Sequence, residues 1–219
     1  MLRTSAPLKG ALGLTRLMHT ITPPAISKAV ERLIAKVAPG QRPTYLNVDP
    51  AELASVNECF PNVANHIQKF GGEAVHGWLI WEWPSVLVEA EFHAVWKSPD
   101  NHLVEITPKE HGETKVLFLP DNKRVYRGVA VDNVRMPLRD DAVIKDYVHV
   151  SEEIVKVLNK GERAHQFGEI RVPAAEIQPL LKFQSMLGYM LTNGLRDHDI
   201  CACGSGKKYK KCHAMRRTK

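Results

Sequence analysis

Three of the chain's four cysteines lie within residues 201–213, CACGSGKKYKKCH. No other feature constrains the fold of its own stretch so tightly. Cys201 and Cys203 form a C-x-C pair, Cys212 follows after a gap, and His213 adjoins it. Zn²⁺ takes four sulfur or nitrogen donors in a tetrahedron, and this is such a donor set. Gly204 and Gly206 let the backbone fold sharply after the first pair. Three thiolates and a neutral imidazole leave a net charge of about −1 on a zinc site. Lys207, Lys208, Lys210 and Lys211 offset that charge and favour the thiolate forms. A disulfide across C-x-C would be strained, and GSGKK lacks the phosphate-loop spacing G-x-x-x-x-G-K-[ST]. The spacing therefore predicts Zn²⁺ held by Cys201, Cys203 and Cys212. His213 or His198 supplies the fourth donor. Without metal the polar segment has little to bury and is expected to be disordered.

The charge distribution separates this tail from the rest. Of the formal net +6, residues 201–219 contribute seven bases and no acid, while residues 37–200 carry more acids than bases. A mildly acidic body argues against a nucleic-acid-binding protein, although the tail alone leaves weak nucleic-acid contact open. No apolar run approaches the ~20 residues that span a bilayer, and no secretory signal opens the chain, so a cytoplasmic location is expected. Arg3, Lys9 and Arg16 with no acid nearby are compatible with a transit peptide or with a frayed basic end.

Periodicity predicts a helix over 25–37 between Pro23-Pro24 and Pro39-Gly40, then a linker over 38–50. A second helix runs from Cys59 to Phe70, with Val63, Ile67 and Phe70 on one face, and Gly71-Gly72 ends it. Pro61 is tolerated only in a first turn, which places Cys59 at the helix N-terminus. Strands are predicted at 77–83, 87–96, 103–107, 115–119 and 124–131, the last two as a hairpin. Helices are predicted at 151–160 and 174–193. This order describes an α+β fold: an antiparallel sheet with flanking helices plus a small C-terminal zinc knuckle. The expected organisation is a basic segment and helix over 1–43, an α+β body over 44–196 and the zinc tail over 197–219.

Cys59 is the one cysteine outside the tail. A lone cysteine is usually a small buried hydrophobe, but three features favour a nucleophile. A helix N-terminus favours thiolate. His93 lies on the polar side of the following strand, and Glu105 on the next. If the turn after Ser98 has an odd number of residues, such as Pro99-Asp100-Asn101, then Ser98 opposes His102, His93 opposes Thr107, and Glu105 is a diagonal neighbour of His93. An even loop would separate them. Trp78, Trp81, Trp83 and Trp96 either fill the core or line a substrate groove.

Two resemblances add to these readings. Residues 201–213 resemble the SEC-C motif, the zinc tail of the SecA translocation motor that also ends many unrelated small proteins. This implies Cys201, Cys203, Cys212 and His213 as ligands. It also implies a docking role toward a protein partner, since in the motor the tail contacts the chaperone SecB and the ribosome. The stretch FHAVWKSPDNHLVEITP weakly resembles the transglutaminase-like pattern, with Glu105 where Asp is usual, Trp96 two residues late, and Phe60 rather than Trp after the cysteine. It implies a papain-like thiol hydrolase or acyltransferase acting on amide or acyl groups. Cys59 would be the nucleophile, His93 the acid and base, and Glu105 the group that orients His93. The alternative is a non-enzymatic adaptor or binding module that docks through its tail.

Overall fold

The computed structural model describes residues 3–4, 20–166 and 169–215. Apart from residues 3, 4 and 20, the segment considered as a transit peptide lies outside the described residues. In chain order the elements are β1 (Arg3–Thr4), α1 (Lys28–Val37), β2 (Thr44–Asn47), α2 (Cys59–Phe70), β3 (Glu73–Trp83), β4 (Leu87–Lys97), β5 (Leu103–Val104), β6 (Lys115–Pro120), β7 (Val134–Pro137), α3 (Ala142–Leu158), β8 (Glu169–Ile170) and α4 (Ala174–Thr192). Short 3₁₀ turns occupy Gly161–His165 and Tyr209–Lys211. The fold is α+β, with an antiparallel sheet, helices, and a Cys/His cluster near its C-terminal end. The chain divides into two compact units. No helix among the described residues is long and apolar enough to cross a membrane.

The first unit holds Ile21–Glu82 and Val88–Val134. Ser27 starts α1 by accepting the Val30 N–H on its hydroxyl at 3.3 Å, and Val30, Leu33 and Ile34 form the buried stripe. The sheet order is β2-β6-β3-β4-β5. Its two edges are drawn together past the ends of β2 and β5. Val48 bridges Glu105 in parallel, the Asp49 N–H reaches the Glu105 carbonyl at 2.9 Å, and the Ala51 N–H reaches the Ile106 carbonyl at 3.0 Å. Helix α2 covers part of this sheet, packing Val63 on Ala94 and Ile106.

The second unit contains Trp83–Leu87 and the chain from Arg135 onward. Asp141 caps α3, its Oδ1 accepting the N–H groups of Val143 and Ile144. Helices α3 and α4 enclose a core of Val143, Ile144, Tyr147, Val150, Leu187 and Met190, which also takes in Cys201 and Tyr209 from the tail. Strands β1 and β8 pair in parallel, Arg3 opposite Glu169.

Several expectations change. Residues 124–131 form no strand. The physical reason is that β6 lies between β2 and β3, so neither of its edges is open to a hairpin partner. The expected linker over 38–50 contains β2. Helix α3 begins at Ala142, well before 151; Ser151 sits inside it and donates its hydroxyl to the Tyr147 carbonyl at 2.8 Å. Phe70 is exposed rather than part of the α2 core face. Trp78, Trp81 and Trp83 are buried in the core.

Candidate functional site

The hairpin between β4 and β5 has the odd loop. Trp96 pairs with Val104 and Lys97 with Leu103. The Ser98 N–H then bonds the His102 carbonyl at 2.9 Å, which leaves Pro99, Asp100 and Asn101 in the turn. Asn101 takes the left-handed conformation, φ 65°, that closes a three-residue hairpin loop. In this register Glu105 meets His93: Nε2 lies 2.6 Å from Glu105 Oε2. Both side chains are shut off from solvent, His93 at 3% and Glu105 at 0% exposure.

Glu105 has further donors. The Thr107 N–H reaches its Oε1 at 2.7 Å, and Lys109 Nζ lies 3.2 Å from Oε2. Burial pushes its carboxyl up, but the adjoining His93 imidazolium, Lys109 and the Thr107 amide together outweigh this and hold it down to about 2. Burial likewise opposes a charged His93. Negative charge on Cys59 and on Glu105 outweighs burial and the opposing Lys109, and holds His93 up to about 10. The other ring nitrogen, Nδ1, is buried with no partner in good hydrogen-bond geometry, while the Cys59 side chain is close enough to raise the imidazole.

Cys59 is the first residue of α2 and is buried, at 7% exposure. Glu58 precedes it without capping the helix through its side chain. Asn62, one turn on, ties this end of the helix down. Its Oδ1 accepts the Ser55 N–H at 3.0 Å, and its Nδ2 donates to the Ser55 carbonyl at 2.8 Å and to Thr107 Oγ1 at 3.3 Å. The structure thus brings His93 and Glu105 into direct contact, with Cys59 near enough for its charge to act on His93. Sequence reasoning missed Lys109, Asn62 and Tyr126. The Tyr126 ring stacks on Phe60 with centroids 3.6 Å apart. Burial pushes its phenol up, and negative charge on Cys59 and Glu58 adds to that.

In the tail, the ligand atoms of Cys201, Cys203, Cys212 and His213 all lie within 4.8 Å of one another. Cys203 Sγ is 3.5 Å from Cys212 Sγ, and His213 Nδ1 is 3.3 Å from Cys201 Sγ and 3.2 Å from Cys212 Sγ. Zinc–sulfur bonds of about 2.3 Å give sulfur–sulfur edges of roughly 3.6–3.8 Å, so this S₃N set fits a small tetrahedral ion after small shifts of its donors. His198 is elsewhere: its Nδ1 faces Lys210 Nζ at 2.7 Å and its Nε2 faces Asp197 at 3.2 Å. Burial pushes the Cys201 thiol up to about 11, whereas bonds from Ser205 hold the exposed Cys203 thiol down to about 6. The Cys201 N–H reaches the Lys207 carbonyl at 2.8 Å, closing the glycine turn. The amides of Cys212, His213 and Ala214 converge on the Tyr209 carbonyl at 2.9, 3.1 and 3.2 Å, so one fully buried tyrosine sets the second ligand pair.

Residues 199–214 match the model of the SEC-C motif. No curated protein and no solved structure matches the chain.

Proposed function

We propose that the protein is a thiol hydrolase or acyltransferase acting on amide or acyl groups, with a zinc-binding SEC-C tail that docks a protein partner. One observation carries the enzymatic reading. Glu105 clamps His93 through Nε2, Nδ1 stays buried with no partner in good hydrogen-bond geometry, and the Cys59 side chain lies close enough to raise the imidazole. An imidazole oriented at one nitrogen and open at the other is what a cysteine nucleophile requires of its base.

In this reading Cys59 attacks the carbonyl carbon as the thiolate of a Cys59–His93 ion pair. The first-turn amides of α2, uncapped by the Glu58 side chain, lie at the end of the helix where an oxyanion is favoured. The carbon–nitrogen bond breaks, and the His93 proton passes to the leaving amine. Neutral His93 then takes a proton from the water, or from the amine acceptor, that attacks the thioester. The Cys59 thiolate leaves, and the pair is restored. Glu105 keeps its charge throughout and holds the ring. In the tail, Zn²⁺ would be closed by Cys201, Cys203, Cys212 and His213. Its chemistry there is structural, because all four positions of a tetrahedral ion are taken by protein.

The test is the alkylation rate of Cys59, read by mass spectrometry of its own peptide, in wild type and His93→Ala. Fast alkylation that drops about tenfold or more without His93 is the expected result. A slow rate indifferent to His93 would return Cys59 to the core and leave an adaptor that docks through its tail.

A further inference from the structure

Asp121, Lys123 and the start of the segment 124–131, which the sequence reads as strand, instead form one wall of a cavity of about 320 Å³ lined on the other side by the end of α1 and Gln41. Three cations line it: Lys123, Arg124 and Arg127. All three are exposed, and none has an ion-pair partner among the described residues. The one acid in the lining, Asp121, is buried and spent on the fold. Its Oδ2 accepts the Trp78 indole N–H at 3.0 Å, and its Oδ1 accepts the amides of Lys123 and Arg124 at 3.0 and 3.2 Å. The cavity is therefore a cationic recess within a body that is otherwise acidic.

Touching side chains run from the recess to the chain neighbours of Cys59 and His93. The Arg124 guanidinium lies over the rings of Trp78 and Phe92, at 5.2 and 5.8 Å. Phe92 immediately precedes His93 and packs against Phe60, centroids 5.7 Å apart, and Phe60 immediately follows Cys59. Tyr126, between Arg124 and Arg127, is the residue stacked on Phe60.

Resting on the thiol-enzyme reading, we propose that this recess seats a carboxylate carried by the acyl substrate of Cys59, with Arg124 and Arg127 as its principal partners. A carboxylate fits better than a phosphate. Phosphate sites draw on clusters of free backbone N–H groups, and the amides of Lys123 and Arg124 are already committed to Asp121. The planar guanidinium groups that remain suit a planar carboxylate, which they pair with two bonds at a time. The substrate class is thus an acidic amide or acyl compound, such as a peptide with an acidic residue beside the reacting group.

The experiment compares alkylation of Cys59 by iodoacetate, which carries a carboxylate, and by neutral iodoacetamide. It uses the full zinc-loaded chain and site-resolved mass spectrometry. The iodoacetate/iodoacetamide rate ratio is expected to fall about threefold at ~10 mM ionic strength in Arg124→Gln/Arg127→Gln, and to shrink with added salt in wild type. Lys123→Gln/Arg127→Gln, which keeps Arg124 over its rings, is expected to move the ratio the same way, and succinate to slow the iodoacetate reaction. Rapid reaction with both reagents at a ratio unchanged in either variant would overturn the recess and spare the thiol reading, His93 then supplying the field alone. Slow reaction with both would overturn the two together. Protection by inorganic phosphate but not by succinate, or by neither, would remove the carboxylate seat.

Discussion

The Tyr209 hydroxyl donates a 2.7 Å hydrogen bond to Asp146 Oδ2 on α3, inside a core where Tyr209 is 0% and Asp146 1% exposed. The Met215 N–H meets the same oxygen at 3.1 Å. The Cys/His tail is therefore built into the α3/α4 core through a buried tyrosine rather than hung from it. Tyr209→Phe keeps the ring and removes a donor from a buried carboxylate. That is expected to cost about 1–3 kcal/mol. The urea midpoint of the full chain checks it, and metal retention during dialysis against a chelator is expected to fall in parallel. An unchanged midpoint with unchanged retention would mean the hydroxyl contributes nothing.

Metal removal is expected to reach beyond residues 199–214. Cys201 shares a buried cluster with Tyr147, Val150 and Leu187, so a tail that loses its ligand cage withdraws part of the core covering α3 and α4. Hydrogen exchange over 142–158 and 174–192 is expected to accelerate on chelation and to recover when Zn²⁺ is restored. Cys203→Ser should reproduce the chelated state permanently while leaving Cys59 alkylation untouched. If protection in both helices is indifferent to metal, the cage stabilises only itself.

Acid should find the Glu105 carboxylate. The sign follows from its lowered value. A carboxyl at about 2 in the folded protein, against 4.5 for the free group, adds stability that is complete above the unfolded value and is lost as pH falls from about 4.5 toward about 2. His93 behaves in the opposite sense. Held up to about 10, its contribution is complete below an unfolded value of 6.5 and declines as pH rises through that interval. Glu105→Gln is expected to be less stable than wild type at pH 6, with the gap narrowing as the pH approaches 3. Urea titrations at both pH values measure it, and a gap that stays constant or widens in acid contradicts the ionised pair.

How far the sequence could lead is clearest at the hairpin. The identity of His93 and Glu105 as partners followed from side-chain period and turn chemistry, but only on the condition of an odd loop. Asn101 in the left-handed region supplies that condition, and no one-dimensional pattern states it. The Cys/His cluster of the tail was legible because a metal site needs its donors close in sequence when the segment is short. What failed were partners that depend on competition. The 124–131 segment has strand-like composition, but β2 already occupies the edge of β6 it would have used. Strand β2 itself, four residues long, is too brief for alternation to register. The burial of Tyr209 was hidden for a related reason: in a lysine-rich tail one aromatic looks incidental until α3 presents Asp146 to it.

Gly77 tests whether the sheet beneath the candidate site tolerates any adjustment. It faces Pro120 across the β3–β6 pair, and a Cβ there would stand 2.3 Å from the Leu119 carbonyl oxygen and 2.7 Å from the Phe118 ring. The first is backbone and does not move without opening the ladder. Its φ is not in the left-handed region, so the requirement is space rather than conformation. Gly77→Ala is therefore expected to destabilise by about 1–3 kcal/mol through overpacking. Because the next β3 residue is Trp78, whose indole N–H holds Asp121 and whose ring carries Arg124, the displaced strand should also disturb the cationic recess. The expected signature is a lowered urea midpoint together with a reduced iodoacetate/iodoacetamide ratio at Cys59. A destabilised variant with the wild-type ratio would show that β3 and the 121–127 wall move independently.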